Sequence, residues 1–246
     1  MVMSISLVCA FLLQLDDSAN RRHYAQICGN RSMTEYRNSH NHPLADYPHP
    51  TVAVDTAVLT VPAGGALSVL VVRTGDGWRL PGTFLHEGER LADAVLRSLQ
   101  VKAGVTGLSP RQLHVFDDPH RDDRGWVLSV AHLDAVPASH LAIDEQIARL
   151  ISVTDVPALP YGHEEIIELA VATLRADYAT RPDPAGLLTE PFTLRDLQLV
   201  HEGVAGIPLP RDTFRRAMEP LLRATGESVQ GVVGKPARLI ARRVAS

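Results

Sequence analysis

Apolar and polar positions alternate along "VAVDTAVLTV", Val52 to Val61, and again along "LSVLVVR", Leu67 to Arg73, with the turn "PAGGA" between them. Period two with many β-branched side chains predicts two strands and the start of a sheet. The period then changes. From Glu89 to Ala103 the apolar residues Leu91, Ala92, Val95, Leu96 and Leu99 recur at spacings of three and four, which predicts an amphipathic helix stopped by Gly104. "RQLHVFD" and "GWVLSVAHLD" predict two more strands on either side of the polar loop "DPHRDDR". "HEEIIELAVATLRADY", His163 to Tyr178, predicts a second helix with a strong apolar face. Strands with a few long helices, not in strict alternation, predict an α+β domain with a mixed sheet from about Thr51 to Thr180.

"RPDPAGLLTEP", Arg181 to Pro191, is a proline-punctuated break, expected to act as a linker and hinge that few contacts cross. Beyond it the pattern is shorter. Thr193 can cap a helix carrying Leu194, Leu197, Val200 and Val204. The bend "GIPLP" leads to a second helix with Phe214, Met218, Leu221 and Leu222 inward, and Pro220 should kink or end it. "ESVQGVVGKPARLIARRV" predicts two short strands around a glycine-rich turn. Helix, bend, helix and hairpin make a winged helix-turn-helix, whose second helix enters the major groove while the wing touches backbone or minor groove. Arg211, Thr213, Arg215 and Arg216 then face outward near the start of that helix, and Lys235 and Arg238 flank a proline in the wing. Arginine at such positions reads guanine or binds phosphate. A small helical dimerisation domain with solvated arginines is the competing reading. The expected partition is 1–49 as an N-terminal extension, 50–180 as an effector domain, 181–191 as linker and 192–246 as DNA-binding domain.

Charge sharpens this partition. The 246-residue chain carries a formal net charge of -4, yet Leu188 to Ser246 holds nine Lys/Arg against six Asp/Glu, or +3, leaving -7 elsewhere. A basic module that meets a polyanion, joined to an acidic module with other work, fits that asymmetry. Cys9 and Cys28 are the only cysteines and neither has metal-ligand spacing around it, which suits a reducing, cytoplasmic setting. "ISLVCAFLLQL" near the start lacks a basic leader and is too short to span a bilayer, so no membrane role is expected. The polar, aperiodic residues after it are expected to be disordered to about His49. Met33 offers an alternative start, in which case the residues before it are dispensable.

"RLPGTFLHEGERLADAVLRSLQVKAGV", Arg79 to Val105, resembles the Nudix box, G-x5-E-x7-R-E-U-x-E-E-x-G-U with U aliphatic. Glu89, Arg97, Leu99, Gly104 and Val105 match, and Leu80, Pro81 and Gly82 match the usual preceding "LPGG", with Thr83 where the box has its first glycine. The departures cluster. Ser98, Val101 and Lys102 occupy the three glutamate positions that, at i, i+3 and i+4 on one helix, gather carboxylate oxygens around Mg²⁺ in the family. Exchanging three negative charges for one positive moves the local charge by four units, which repels a divalent cation. The resemblance thus implies a Nudix fold without a metal site or catalytic residues. It assigns Glu89 and Arg97 to bracing the loop against the helix, and it suggests that Lys102 neutralises part of a bound diphosphate.

With "FTLRDLQLVHEGV", "FRRAMEPLLRATGE" and "GKPARL" following this box, the chain resembles the Nudix-related transcriptional regulators of the NrtR type. "RDDRGWVLSV" also resembles that group's loop-strand segment, and "YGHEEI", with His163 as a core histidine capping the closing helix, resembles its last Nudix helix. The resemblance implies a repressor of NAD-biosynthesis genes that binds operator DNA, needs no cofactor, and senses ADP-ribose or a related nucleotide; a homodimer is expected because two reading heads on a pseudo-palindrome multiply a modest single-head affinity. Candidate effector contacts are Arg73, Lys102, Arg121 and Arg124 for phosphate and ribose, with Trp78 or Trp126 for stacking. Two alternatives stay open: a Nudix hydrolase of ADP-ribose or a related diphosphate, in which Glu87, Glu89 and substrate oxygens hold a metal, and a scaffold whose winged module binds protein.

Overall fold

The computed structural model describes residues 37–43, 46–75, 77–229 and 236–243. Residues 1–36, with Cys9, Cys28, Met33 and most of the expected extension, lie outside the described residues. In the short stretch before Pro50, Asn38 Oδ1 accepts the backbone N–H groups of His40 and His42, both at 2.9 Å, inside a turn bridged from Arg37 to Pro43. Among the described residues no helix is long and apolar enough to cross a membrane.

From Pro50 onward the chain forms one compact unit. Its larger part runs β1 (Thr51–Thr60), β2 (Ser68–Thr74), β3 (Gly77–Arg79), β4 (Gly82–Phe84), α1 (Leu91–Ala103), β5 (Arg111–Phe116), β6 (Val127–Ala135), β7 (Ala148–Ser152) and α2 (His163–Tyr178). The seven strands make a mixed sheet in the order β3-β2-β1-β6-β5, with β4 paired to β1 and β7 to β2. β1 and β6 run parallel from Thr51 opposite Val127 to Leu59 opposite Ala135.

Successive side chains of β1 and β2 point to opposite faces, which decides which residues each helix covers. Val54, Val58, Leu70 and Val72 pack under α1 with Ala94, Val95 and Leu99. Ala57, Leu59, Val69 and Val71 pack on the opposite side with Ile166, Ile167, Ala170 and Leu174 of α2. A strand covered on both faces reads as a nearly continuous apolar run, as β1 does. β3, β4 and β7 were not anticipated from periodicity, since three to five residues are too few to display a period.

The smaller part runs β8 (Phe192–Thr193), α3 (Leu194–Ala205), α4 (Arg211–Met218), β9 (Leu222–Ser228) and β10 (Arg238–Arg242), with the three strands ordered β8-β10-β9. Thr193 caps α3 as expected: its Oγ1 accepts the Asp196 N–H at 3.1 Å while Asp196 Oδ2 accepts the Thr193 N–H at 2.9 Å. α4 ends at Met218, and Pro220 sits in the 3₁₀ turn that follows. Phe192, Leu197, Phe214, Met218 and Leu222 form the core here, whereas Leu221, expected inward, is 40% exposed. The glycine-rich tip of the wing, residues 230–235, lies outside the described residues.

The segment Arg181–Pro191 departs from the expected low-contact hinge. Asp183, 1% exposed, accepts hydrogen bonds from the Tyr178 hydroxyl (2.5 Å) and from the Leu187 and Leu188 N–H groups (2.8 and 2.9 Å). It also pairs with Arg242 of β10, which holds Glu190 at 2.9 Å. α3 contributes Val200 and Val204 to the same apolar cluster as α2, and Arg175 Nε donates to the Val204 carbonyl at 2.9 Å. Gly203 lies so close to Val61 that a Cβ would stand 2.6 Å from its Cγ1. A proline-rich composition signals a break in helix and strand, but not whether the break is packed.

His201 of α3 lies edge-on between Tyr178 and Phe214, with ring centroids 4.9 and 5.0 Å away. Burial pushes its pKa down to about 4 from 6.5, against smaller opposing effects of Asp183 and the Tyr178 backbone. The unfolded chain therefore takes up a proton before the folded one does, so the stability from neutral His201 is complete above pH 6.5 and is lost as pH falls toward 4. Thermal melts between pH 7.5 and 4 should show this loss in the wild type and a flatter curve in His201→Gln; equal curves would contradict the assignment. Removing Asp183 strands a partly buried guanidinium and several backbone donors. Asp183→Ala should destabilise by about 3 to 5 kcal/mol in urea titrations, the usual cost of breaking a buried ion pair from one side.

Candidate functional site

Asp55 is a carboxylate in the middle of the apolar central strand, and the site is built around it. Ser129 of β6 donates to its Oδ2 at 2.5 Å, His163 Nε2 stands 3.3 Å from its Oδ1, and Arg121 approaches to 4.0 Å. Burial alone would raise the pKa of Asp55, but hydrogen bonding and charge from His163, with Ser129 and Arg121, outweigh it and hold the group below the ordinary carboxylate value. His163 Nδ1 accepts the Leu80 N–H at 3.1 Å, so its proton sits on Nε2 and points to Asp55. The helix cap is Gly162, not His163. The histidine is buried as expected, but it ties the "LPG" loop to the central strand.

That loop comes very close. Gly82 pairs with Asp55 across β4 and β1, and a Cβ on Gly82 would lie 1.9 Å from Asp55 Oδ1. Glu89 and Arg97 brace it as the box pattern implies: Arg97 donates to Glu89 through Nε (2.7 Å) and Nη2 (2.8 Å), to the Phe84 carbonyl at 3.0 Å and to Thr83 Oγ1 at 3.2 Å. The Arg97 hydrogen bonds hold Glu89 at a pKa of about 2. Thr83, which stands where the box has glycine, thus gains a partner within the brace.

Between this loop, the start of α2 and the loop before β6 lies a cavity of about 200 Å³. Three of the expected effector contacts line it: Lys102, Arg121 and Arg124. Arg124 is clamped twice. Its Nε and Nη2 bind the two oxygens of buried Asp122 at 2.8 and 2.7 Å, and its guanidinium lies over Tyr161 (3.9 Å) and Phe84 (5.0 Å). Arg121 donates to the Tyr161 carbonyl at 2.6 Å. Tyr161, Arg79 and Asp122 were missed as site residues. Arg79 adjoins the "LPG" signal, but β3 was too short to recognise, and Tyr161 reaches the cavity only through the left-handed turn before α2, where its φ is 65°.

The other three expected contacts lie elsewhere. The Trp78 ring of β3 is approached by the guanidinium groups of Arg73 (5.6 Å) and Arg149 (4.0 Å), and it is not in the cavity lining. Trp126 is 46% exposed just before β6, also outside the lining.

Mg²⁺ does not fit the helix face offered to it. Among the three glutamate positions of the box, Ser98 is 1% exposed in the core under α1, Val101 is 73% exposed, and Lys102 alone lines the cavity, donating to the Gly82 carbonyl. Burial lowers the Lys102 pKa, as do the charges of Arg79, Arg97 and Arg124, with Asp55 opposing. Glu87 is exposed and not in the lining, Glu89 is engaged by Arg97, and no cluster of three metal-ligating side chains occurs among the described residues. A hard divalent cation needs several oxygen donors, preferably anionic; this face supplies an ammonium.

On the winged module the expected DNA contacts Arg211, Thr213, Arg215 and Arg216 are exposed along α4, and Arg238 is exposed at the start of β10. Lys235 lies outside the described residues. Arg215 pairs at 2.9 Å with Glu219, just past the end of α4, and Arg216 donates at 3.2 Å to the Asp212 carbonyl one turn back on the helix. Thr213 sits on the rim of an apolar groove that also contains Tyr178, His201 and Met218.

Comparison with known proteins bears on both modules. Residues 49–170 match the NUDIX domain family and residues 184–240 the NrtR DNA-binding winged helix domain. Shewanella oneidensis NrtR, solved in complex with a 27mer DNA, superposes with a TM-score of 0.64 at 30% identity, covering 78% of this chain and 93% of that one. The ADPR responsive transcriptional repressor NtrR of Acinetobacter baylyi is 27% identical over 187 residues, which cover 71% of this chain and 74% of that protein. An ADP-ribose pyrophosphatase of Methanocaldococcus jannaschii is 28% identical over 154 residues, or 60% of this chain and 84% of that protein. With a Nudix module and an NrtR winged helix in this order in one chain, the protein belongs to the NrtR family of Nudix-related transcriptional regulators.

Proposed function

We propose that the chain is a cytoplasmic, homodimeric repressor of NAD-biosynthesis genes, whose winged module reads operator DNA and whose Nudix module binds ADP-ribose without hydrolysing it. The observation that carries this reading is Lys102 in the cavity at a position where a hydrolase of this fold carries a metal-binding carboxylate. The likeness to an ADPR responsive repressor and to a DNA-bound NrtR supports it. A dimer suits the reading because two heads on a pseudo-palindromic site multiply a modest single-head affinity. Because the Arg181–Pro191 segment is packed by Asp183, Tyr178 and Arg242, the proposal has the nucleotide act by changing how two reading heads are arranged instead of by bending one chain at a hinge.

The pyrophosphatase relative keeps hydrolysis as the second reading. Without carboxylates to hold a metal on the diphosphate, several kcal/mol of transition-state stabilisation are lost, so turnover should fall at least about a thousandfold below that of an intact box. Incubating clean protein with ADP-ribose and Mg²⁺ and following AMP release checks this; robust Mg²⁺-dependent release identifies an enzyme.

The DNA-reading role rests on Arg215 and Arg216. Arg215 and Glu219 form a solvent-screened surface pair and Arg216 holds only a backbone carbonyl, so both guanidinium groups exchange readily to a guanine edge or a phosphate. A base-reading arginine lost to alanine costs about 1 to 3 kcal/mol and relaxes specificity, whereas a phosphate-binding one weakens all sequences alike. Half-sites should lie about 10 bp or a multiple apart. In gel shifts the Arg215→Ala, Arg216→Ala double variant should bind its operator poorly while melting like wild type; full-strength binding refutes this role.

A further inference from the structure

The cavity holds four cations, Arg79, Lys102, Arg121 and Arg124, and two carboxylates, Asp55 and Asp122. Both carboxylates are already engaged: Asp122 by both nitrogens of Arg124, Asp55 by Ser129, His163 and Arg121. Two positive charges remain uncompensated, on Arg79 and Lys102. Arg79 Nε is buried without a hydrogen-bond partner. Lys102 has a carbonyl, Gly82 O, as its partner and no carboxylate. An orphaned buried donor costs free energy unless an acceptor reaches it, and two adjacent uncompensated cations favour an anion of matching charge.

We propose that Arg79 and Lys102 form a built-in, metal-free subsite for the diphosphate bridge of the effector, the fixed ammonium of Lys102 standing in for a divalent cation. A diphosphate esterified at both ends carries one ionised oxygen on each phosphorus, two charges against the two that the cavity leaves uncompensated. The ammonium is placed by the fold. α1 carries Lys102 over the "LPG" loop, and Gly82, with no room for a side chain against Asp55, brings its carbonyl within reach of Nζ. Low exposure and neighbouring cations push the Lys102 pKa down. A bound dianion reverses that electrostatic penalty, so the subsite gains most from a ligand with two negative phosphates and less from a monophosphate.

This inference rests on the nucleotide-effector reading above, and inorganic pyrophosphate serves as a second probe that does not. Calorimetry on the full chain would use ADP-ribose, pyrophosphate and AMP, each in EDTA and in excess Mg²⁺. The expected result is binding of ADP-ribose and pyrophosphate in EDTA with no gain from Mg²⁺. Lys102→Gln and Arg79→Gln should each weaken both ligands about tenfold or more, with a smaller loss for AMP, and Lys102→Arg should recover most of the affinity. Lys102→Glu should bind diphosphates weakly in EDTA and regain affinity when Mg²⁺ is added. Melting curves identify any variant that fails to fold, and Lys102→Arg, which keeps the charge, then carries the test. Wild-type binding that requires Mg²⁺, or glutamine variants that fold and bind diphosphates at full strength, overturns the subsite while leaving the effector reading intact. Loss of ADP-ribose binding alone, with pyrophosphate still held in EDTA through Lys102, overturns the effector identity and leaves the subsite standing.

Discussion

A carboxylate buried in the centre of an apolar sheet requires partners, and the partners of Asp55 organise the site. One comes from the neighbouring strand (Ser129), one from the first turn of α2 (His163) and one from the loop before β6 (Arg121). Because His163 also holds the Leu80 N–H, the same carboxylate fixes the "LPG" loop, and the loop places its Gly82 carbonyl under Lys102. An unpaired carboxylate at this depth would cost several kcal/mol. Loop, helix start and cation are therefore set together, and a ligand finds a cavity that folding has already organised.

The same economy extends to the junction. Asp183 binds the end of α2, the connecting segment and β10, while Val200 and Val204 of α3 enlarge the apolar cluster of the Nudix sheet. The reading head is thereby packed onto the effector module by both apolar and ionic contacts. His201, held between Tyr178 and Phe214, lies where a shift in α2 would reach α4. The arginines Arg211, Arg215, Arg216 and Arg238 of the C-terminal part lie at the surface.

Periodicity revealed the long elements because each has enough residues to show which face is covered: β1, β2, β6, α1, α2 and α3 all follow from it. It did not reveal β3, β4 or β7, whose existence depends on pairing with distant strands. At the site, the box spacing located Lys102, and the "RDDRG" segment located Arg121 and Arg124. Arg79 and Tyr161 escaped because their relevance arises from how the chain closes around Asp55. Trp78 and Trp126 looked like stacking surfaces in sequence, but one is approached by two arginines outside the cavity lining and the other faces solvent. The expectation of few contacts there failed for a related reason: "RPDPAGLLTEP" contains Asp183, whose ion-pair partner Arg242 lies 59 residues away in the chain.

If nucleotide and operator act on one equilibrium between dimer arrangements, their effects are reciprocal although they never touch. The most direct measurement is ADP-ribose affinity of the full chain alone, with saturating operator duplex, and with scrambled duplex. The account predicts that operator weakens ADP-ribose binding about 5- to 150-fold, the span of a coupling of about 1 to 3 kcal/mol, and that scrambled duplex does not. Equal affinities in all three conditions would contradict it.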